Sequence, residues 1–183
     1  MLLPDHEIRA LCQEHALIHP FDAERLGPAS YDVALGDNIM IEVSETVDLI
    51  RHSIGTHSKE DPYWLMPGEF ILAETQETFN LPDSPAIAAQ FVLKSSRARV
   101  GFQHMLAGFC DPGWHGSRLT LELKNVRQKH RLAIWPGMLI GQMVFMPLAS
   151  DPNRSYAQIG HYNRHETVMP SWETLKTAVT ATA

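Results

Sequence analysis

Three short segments of this chain carry side chains able to do chemistry. KSSRAR, residues 94–99, sets three cations and two hydroxyls into six positions. Guanidinium groups offer planar forks of N–H donors and serine hydroxyls add more, which is the donor set that phosphate oxygens take. AGFCDPGWHG, residues 107–116, contains Asp111-Pro112-Gly113, a sequence that demands a tight turn. From such a turn Asp111 can accept a hydrogen bond from a sugar hydroxyl, while Trp114 covers a pocket or fills the core. RLTLELKN, residues 118–125, alternates Leu119, Leu121 and Leu123 with Thr120, Glu122 and Lys124. As a strand it buries its leucines and turns the Glu122 carboxylate to the opposite face. Taken singly, each segment also has an ordinary reading: a solvated basic turn, a plain loop, a surface glutamate. KSSRAR is no Walker loop, since the glycines that cradle phosphate there are missing.

The elements that must position these residues are mostly strands. NIMIEV, EFILAETQETF, AIAAQFVL, SRLTLELK, RLAIW and LIGQMVFMPL are short alternating runs separated by Gly, Pro, Asp and Asn. They predict a mainly β, distorted jelly-roll body over 20–148. Ahead of it, residues 4–18 place Ile8, Leu11, Cys12 and Ala16 at helical spacing behind Pro4 and Asp5, predicting a short N-terminal helix within 1–19. MPGEF at 66–70 and WPGML at 135–139 each predict a type II turn and a hairpin-like corner. Residues 50–64 read as one long polar loop, and 149–183 as an irregular tail with a short helix from Ser171, mobile unless a ligand or neighbouring subunit orders it. Phe102, Phe109, Trp114, Trp135 and Phe145 sit in apolar contexts and are expected in the core or an interface.

The chain has 183 residues, 44% of them hydrophobic, which suits one domain with a real core. The formal charge is −6 and the 15 basic residues are scattered, so there is no footprint for duplex nucleic acid, although a local cation cluster can still serve one small anion. Cys12 and Cys110 cannot build a disulfide framework or a zinc quartet. There is no run of about 18 or more apolar residues and no signal-peptide pattern at the N-terminus, so no membrane span is expected and a cytoplasmic location is the default.

In the order in which they occur, GPASYDVALG at 27–36, MPGEFILAET at 66–75, KSSRAR at 94–99, AGFCDPGWHGSRLTLELKN at 107–125 and PGMLIGQMVF at 136–145 resemble the dCTP deaminases of the trimeric dUTPase superfamily. The resemblance implies a homotrimer with sites at subunit boundaries, deaminating dCTP to dUTP and ammonia for pyrimidine deoxynucleotide supply, with Mg2+ carried by the triphosphate and dTTP as an inhibitor. It implies that Lys94, Ser95, Ser96 and Arg99 bind phosphate and form the site, with Ser95 taking part in catalysis and Lys94 replacing a frequent arginine. Asp111 then contacts the sugar, Ala107 and the backbone of Thr120 and Leu121 lie beside the base, and Glu122 is the general base. Tyr156 and Tyr162 fall at ligand-closing positions. Leu106 stands where the family usually has threonine, and the usual lysine and glutamine of the tail are replaced by a region containing His161 and His165.

The residue types agree with this on their own terms. Many nucleobase deaminases activate water with a zinc ion held through a Pro-Cys-x-x-Cys signature, which this sequence lacks. A zinc-independent enzyme needs a side chain to take the water's proton and return it to the departing amine, and a carboxylate can do both. Three alternatives stay open. One is a dUTPase, or a bifunctional enzyme that carries dCTP to dUMP. Another is a nucleotide-binding regulator without activity. The third is a metal-dependent jelly-roll enzyme using His104, His115 and His130, against which stands the lack of a His-x-His pair with a later glutamate.

Overall fold

The computed structural model describes residues 1–175. Helix α1 (Asp5–His15) starts behind Pro4, whose fixed φ suits a first turn, and carries Asp5 and Glu7 at its positive end. It buries Ile8 and ends earlier than its apolar spacing suggests. Ala16 turns left-handed at φ 51°, and the chain then drops Leu17 and Ile18 into the core.

The strands are β1 (Ile18–His19), β2 (Leu26–Gly27), β3 (Ser30–Val43), β4 (Thr46–Ser53), β5 (Tyr63–Leu65), β6 (Phe70–Asn80), β7 (Ile87–Leu93), β8 (Phe102–His104), β9 (Phe109–Cys110), β10 (His115–Asn125), β11 (Leu132–Ile134) and β12 (Leu139–Pro147). Helix α2 (Ser95–Val100) follows β7, and α3 (Tyr156–Ile159) lies in the tail. The fold is mainly β, a curled antiparallel sheet in the order β8-β10-β6-β3-β12-β7-β9. Strand β3 carries the sheet round: residues 31–34 pair with β12, whereas residues 35–41 pair with β6. The inward faces of β10, β6, β3 and β12 supply Leu121, Leu123, Ile71, Ala73, Ile39 and Phe145 to one core. Among the described residues, no helix is long and apolar enough to cross a membrane.

Both Pro-Gly turns form as the sequence predicts, with Gly68 and Gly137 at φ 79° and i to i+3 bonds from Glu69 N–H to Met66 C=O and from Met138 N–H to Trp135 C=O. They do not close hairpins. Strands β5 and β11 pair with each other in a separate two-stranded sheet, so each turn is a corner leading from that sheet into the large one. The expected loop at 50–64 is also shorter. Residues 50–53 complete β4, which is exposed along nearly its whole length, and an edge strand with little to bury shows no apolar alternation to read. KSSRAR does not form a turn but nearly all of α2, with Lys94 as its N-cap, and the helix stops at Gly101 in the left-handed region. Phe109 is not a core residue of its own chain: it is 59% exposed.

The tail lies across the outer face of β10 and β6. Tyr156 N–H bonds Pro112 C=O, Arg118 N–H bonds His165 C=O, and Met169 N–H bonds the Thr120 hydroxyl. Val168 is fully buried in a satellite cluster with Met40, Leu72, Leu49 and Phe70. Its N–H donates to Glu74 Oε2 at 2.8 Å, and its carbonyl accepts from Arg51. Glu74, itself fully buried, also accepts from Arg118 Nη1 at 2.7 Å and Asn38 Nδ2 at 3.0 Å. Helix α3, in a stretch whose weak pattern predicts an irregular tail, opens with a capping box between Ser155 and Gln158. Residues 172–175 are helical after Ser171, and the rest of the predicted helix lies outside the described residues.

Two measurements test this packing. Glu74→Leu strands the Arg118 guanidinium and the Val168 N–H, so it is expected to cost about 1–3 kcal/mol and to speed amide exchange at Val168; unchanged protection there would show that Glu74 does not hold the tail. At Gly141 a Cβ would lie 2.1 Å from the Phe91 ring. Gly141→Ala is therefore expected to lower the denaturant midpoint at constant m-value, through overpacking of about 1–3 kcal/mol.

Candidate active site

On β10, Arg118, Thr120 and Glu122 share the face opposite the buried leucines. Antiparallel pairing sets Thr120 opposite Glu74 and Glu122 opposite Leu72. Between Arg118 and Thr120 the register slips, and Thr75 fills the gap: its hydroxyl accepts the Leu119 N–H at 2.9 Å in place of a backbone carbonyl. This face forms one side of a cavity of about 890 Å³, a size typical of small-molecule sites. Strand β4 contributes Val47, Asp48 and Leu49, and β6 contributes Phe70 and Leu72. The 106–111 segment forms another wall, and the tail closes over it with Tyr156, Tyr162, His165 and Met169.

Glu122 is held from two sides. Its carbonyl accepts the Met105 N–H, and its Oε2 lies 3.3 Å from His104 Nε2. Oε2 is enclosed, yet the side chain as a whole keeps 27% of its surface exposed, so the carboxylate reaches both the protein and the cavity. Leu106 is left-handed at φ 63° and 89% exposed. That conformation costs a residue with a side chain about 1–2 kcal/mol. On one side of it the Leu106 N–H bonds the His104 C=O, and on the other Gly108 packs so close to Phe91 that a Cβ would come within 2.8 Å of it.

The Asp111-Pro112-Gly113 turn forms, with Gly113 at φ 86°, and presents Asp111 to the cavity. Trp114 does both of the things expected of it, stacking on Phe79 in the core and lining the cavity. Its indole N–H donates to Tyr162 C=O. The two tail tyrosines are linked: the Tyr156 hydroxyl accepts the Tyr162 N–H at 3.3 Å, and the Tyr162 hydroxyl accepts the Trp172 N–H at 2.8 Å. Burial pushes the Tyr156 phenol above its usual range. Burial, then the charges of Asp111 and Glu122, raise the Cys110 thiol far up, which keeps it neutral and unreactive.

Of the residues singled out in the sequence, Ala107, Asp111, Thr120, Glu122, Tyr156 and Tyr162 line this cavity. Leu121 is fully buried, so its side chain belongs to the core. Lys94, Ser95, Ser96 and Arg99 are not among the lining residues. They run along α2 from its N-cap to its last turn: Lys94 pairs with Asp32, while Ser95, Ser96 and Arg99 are exposed. Arg118 was missed as a site residue, and His104 was considered only as a metal ligand, not as the neighbour of Glu122. Arg118 could have been found, because it precedes Thr120 and Glu122 at the same two-residue spacing. Among the described residues no group of His, Cys, Asp and Glu side chains is arranged to hold a metal ion. His104 meets Glu122, His115 meets Gly113 C=O, and His130 is exposed.

The chain is similar to the dUMP-forming dCTP deaminase of Beutenbergia cavernae, with 37% identity over 177 residues that cover 91% of this chain and 90% of the relative. The enzyme of the same name from Mycobacterium marinum matches at the same identity and coverage. The crystal structure of 2'-deoxycytidine 5'-triphosphate deaminase from Agrobacterium tumefaciens superposes with a TM-score of 0.64 at 19% identity, over 80% of this chain and 48% of that one, a likeness of fold. The profile of the dCTP deaminase-like family matches residues 2–148, the stretch that builds the sheet and sets Glu122 on the cavity wall, and the chain belongs to that family.

Proposed function

We propose that the protein deaminates dCTP without zinc, with Glu122 as general base. The observation that carries this reading is the Glu122 carboxylate itself, fixed on a paired strand with one oxygen enclosed and the side chain open to a nucleotide-sized cavity. Water attacks C4 of the cytosine as Glu122 takes its proton, and the carboxylic acid returns that proton to the amine as ammonia leaves. The Asp111 carboxylate accepts from the sugar, and the triphosphate brings magnesium as part of the substrate. Ser95, Ser96, Lys94 and Arg99 serve a phosphate-binding role from a neighbouring copy in a homotrimer, since they stand apart from the cavity of their own chain.

A second reading, favoured by the name dUMP-forming dCTP deaminase that the 37% identical relatives carry, is that the product is carried on to dUMP. Separate assays of dCTP and dUTP for ammonia and pyrophosphate decide between them. Ammonia alone from dCTP supports a deaminase that stops at dUTP; ammonia with pyrophosphate supports the dUMP-forming reaction. Pyrophosphate from dUTP with no ammonia from dCTP would refute deamination. Glu122→Gln is expected to reduce ammonia release by about 10²- to 10⁴-fold, and activity within tenfold of wild type would remove Glu122 from the base role.

A further inference from the structure

The contact behind Glu122 is unlike the others in the site. His104 closes β8, pairs across to Leu123 and is 6% exposed. Its Nε2 and the Glu122 Oε2 are both enclosed, 3.3 Å apart, and neither has a hydrogen-bond partner among the described residues. Buried polar atoms left in this condition cost free energy, and native structures keep few of them. Here the two atoms face each other, and each is what the other lacks: an imidazole N–H and a carboxylate oxygen.

The ring has little freedom to leave. It packs on Phe91 with centroids 4.6 Å apart, and the Gly108 backbone closes against both, since a Cβ there would lie 2.8 Å from Phe91 and 3.3 Å from His104. Phe91 in turn presses on Gly141 of β12. A side chain locked by packing in this way can impose its position on a more exposed neighbour. Hydrogen bonds of this kind are commonly long in the free enzyme and tighten around the substrate.

We propose that His104 is a positioning residue for Glu122. Its Nε2–H donates to Oε2 and fixes the carboxylate plane, so that the other oxygen meets the attacking water. This rests on the reading of Glu122 as the base. His104 touches the carboxylate and not the substrate, so its loss acts on turnover while leaving nucleotide affinity in place.

The test compares steady-state deamination of dCTP by the full-length protein carrying Glu122→Gln, His104→Leu, His104→Gln, His104→Asn, or His104→Leu together with Glu122→Gln. Misplacing a reacting group by about 1 Å costs on the order of 10²-fold. His104→Leu is expected to lower kcat by about that factor with KM nearly unchanged. His104→Gln, whose amide reaches the place of Nε2, is expected to recover most of the loss, whereas the shorter His104→Asn is not. In the Glu122→Gln background His104→Leu is expected to add little. Should the leucine variant fail to fold, the Gln and Asn pair still decides, because both bury an amide and only one reaches. Equal activity of these two, or an effect of His104→Leu on KM alone, overturns the positioning role while a Glu122→Gln loss leaves the base intact. Full turnover by Glu122→Gln overturns the base reading and this inference with it.

Discussion

The pairing of β10 with β6 is the constraint on which the rest of the structure depends. Because side chains alternate along a strand, seating Leu119, Leu121 and Leu123 in the core leaves Arg118, Thr120 and Glu122 no choice of face. The partner strand then decides their company, with Leu72 beside Glu122 and Glu74 beside Thr120. A one-residue slip would place leucines in the cavity and carboxylate in the core, so core packing and site geometry are specified by the same register. The irregularity between Arg118 and Thr120 is bridged by Thr75, and from Thr120 to Lys124 the register is regular.

Much of this was legible in the sequence. The alternation of RLTLELKN, the two Pro-Gly turns and the Asp-Pro-Gly turn all depend on local rules, and local rules survive folding. What escaped depends on partners distant in sequence. Strand β4 shows no alternation because it buries almost nothing. The clamp from Glu74 to Val168 spans 94 positions, and a lone Glu in an apolar strand does not announce which amide it will bind. His104 likewise carries no local mark, since its meaning lies wholly in facing Glu122. The placement of KSSRAR outside the cavity of its own chain is another such case. Residue type suggested phosphate contact, but where the segment lies relative to Glu122 is set by how β7 and α2 pack.

The tail illustrates how a weakly patterned segment gains order from its surroundings. Its backbone groups bond Thr120, Glu74, Arg118 and Pro112, and the fully buried Val168 side chain completes a cluster that the outer sheet face begins but cannot close. The segment is thus a cover, and several of the β10 and β6 residues that fasten it, Arg118, Thr120, Phe70 and Leu72, also line the cavity. Structure and site share their supports, and changes made for one are felt by the other.

The bond between Arg118 and Glu74 has a consequence for the electrical character of the cavity. Among the described lining residues Arg118 is the sole guanidinium or ammonium, set against the carboxylates of Asp48, Asp111 and Glu122. Its charge is already balanced by the buried Glu74. The charge of the described lining residues is therefore net negative, and apolar walls of low dielectric such as Phe70, Leu72 and Leu49 do little to shield it. A bare polyanion approaching this opening meets repulsion, and one that arrives with its own divalent counter-ion, or whose charged end is held by cations outside the opening, does not.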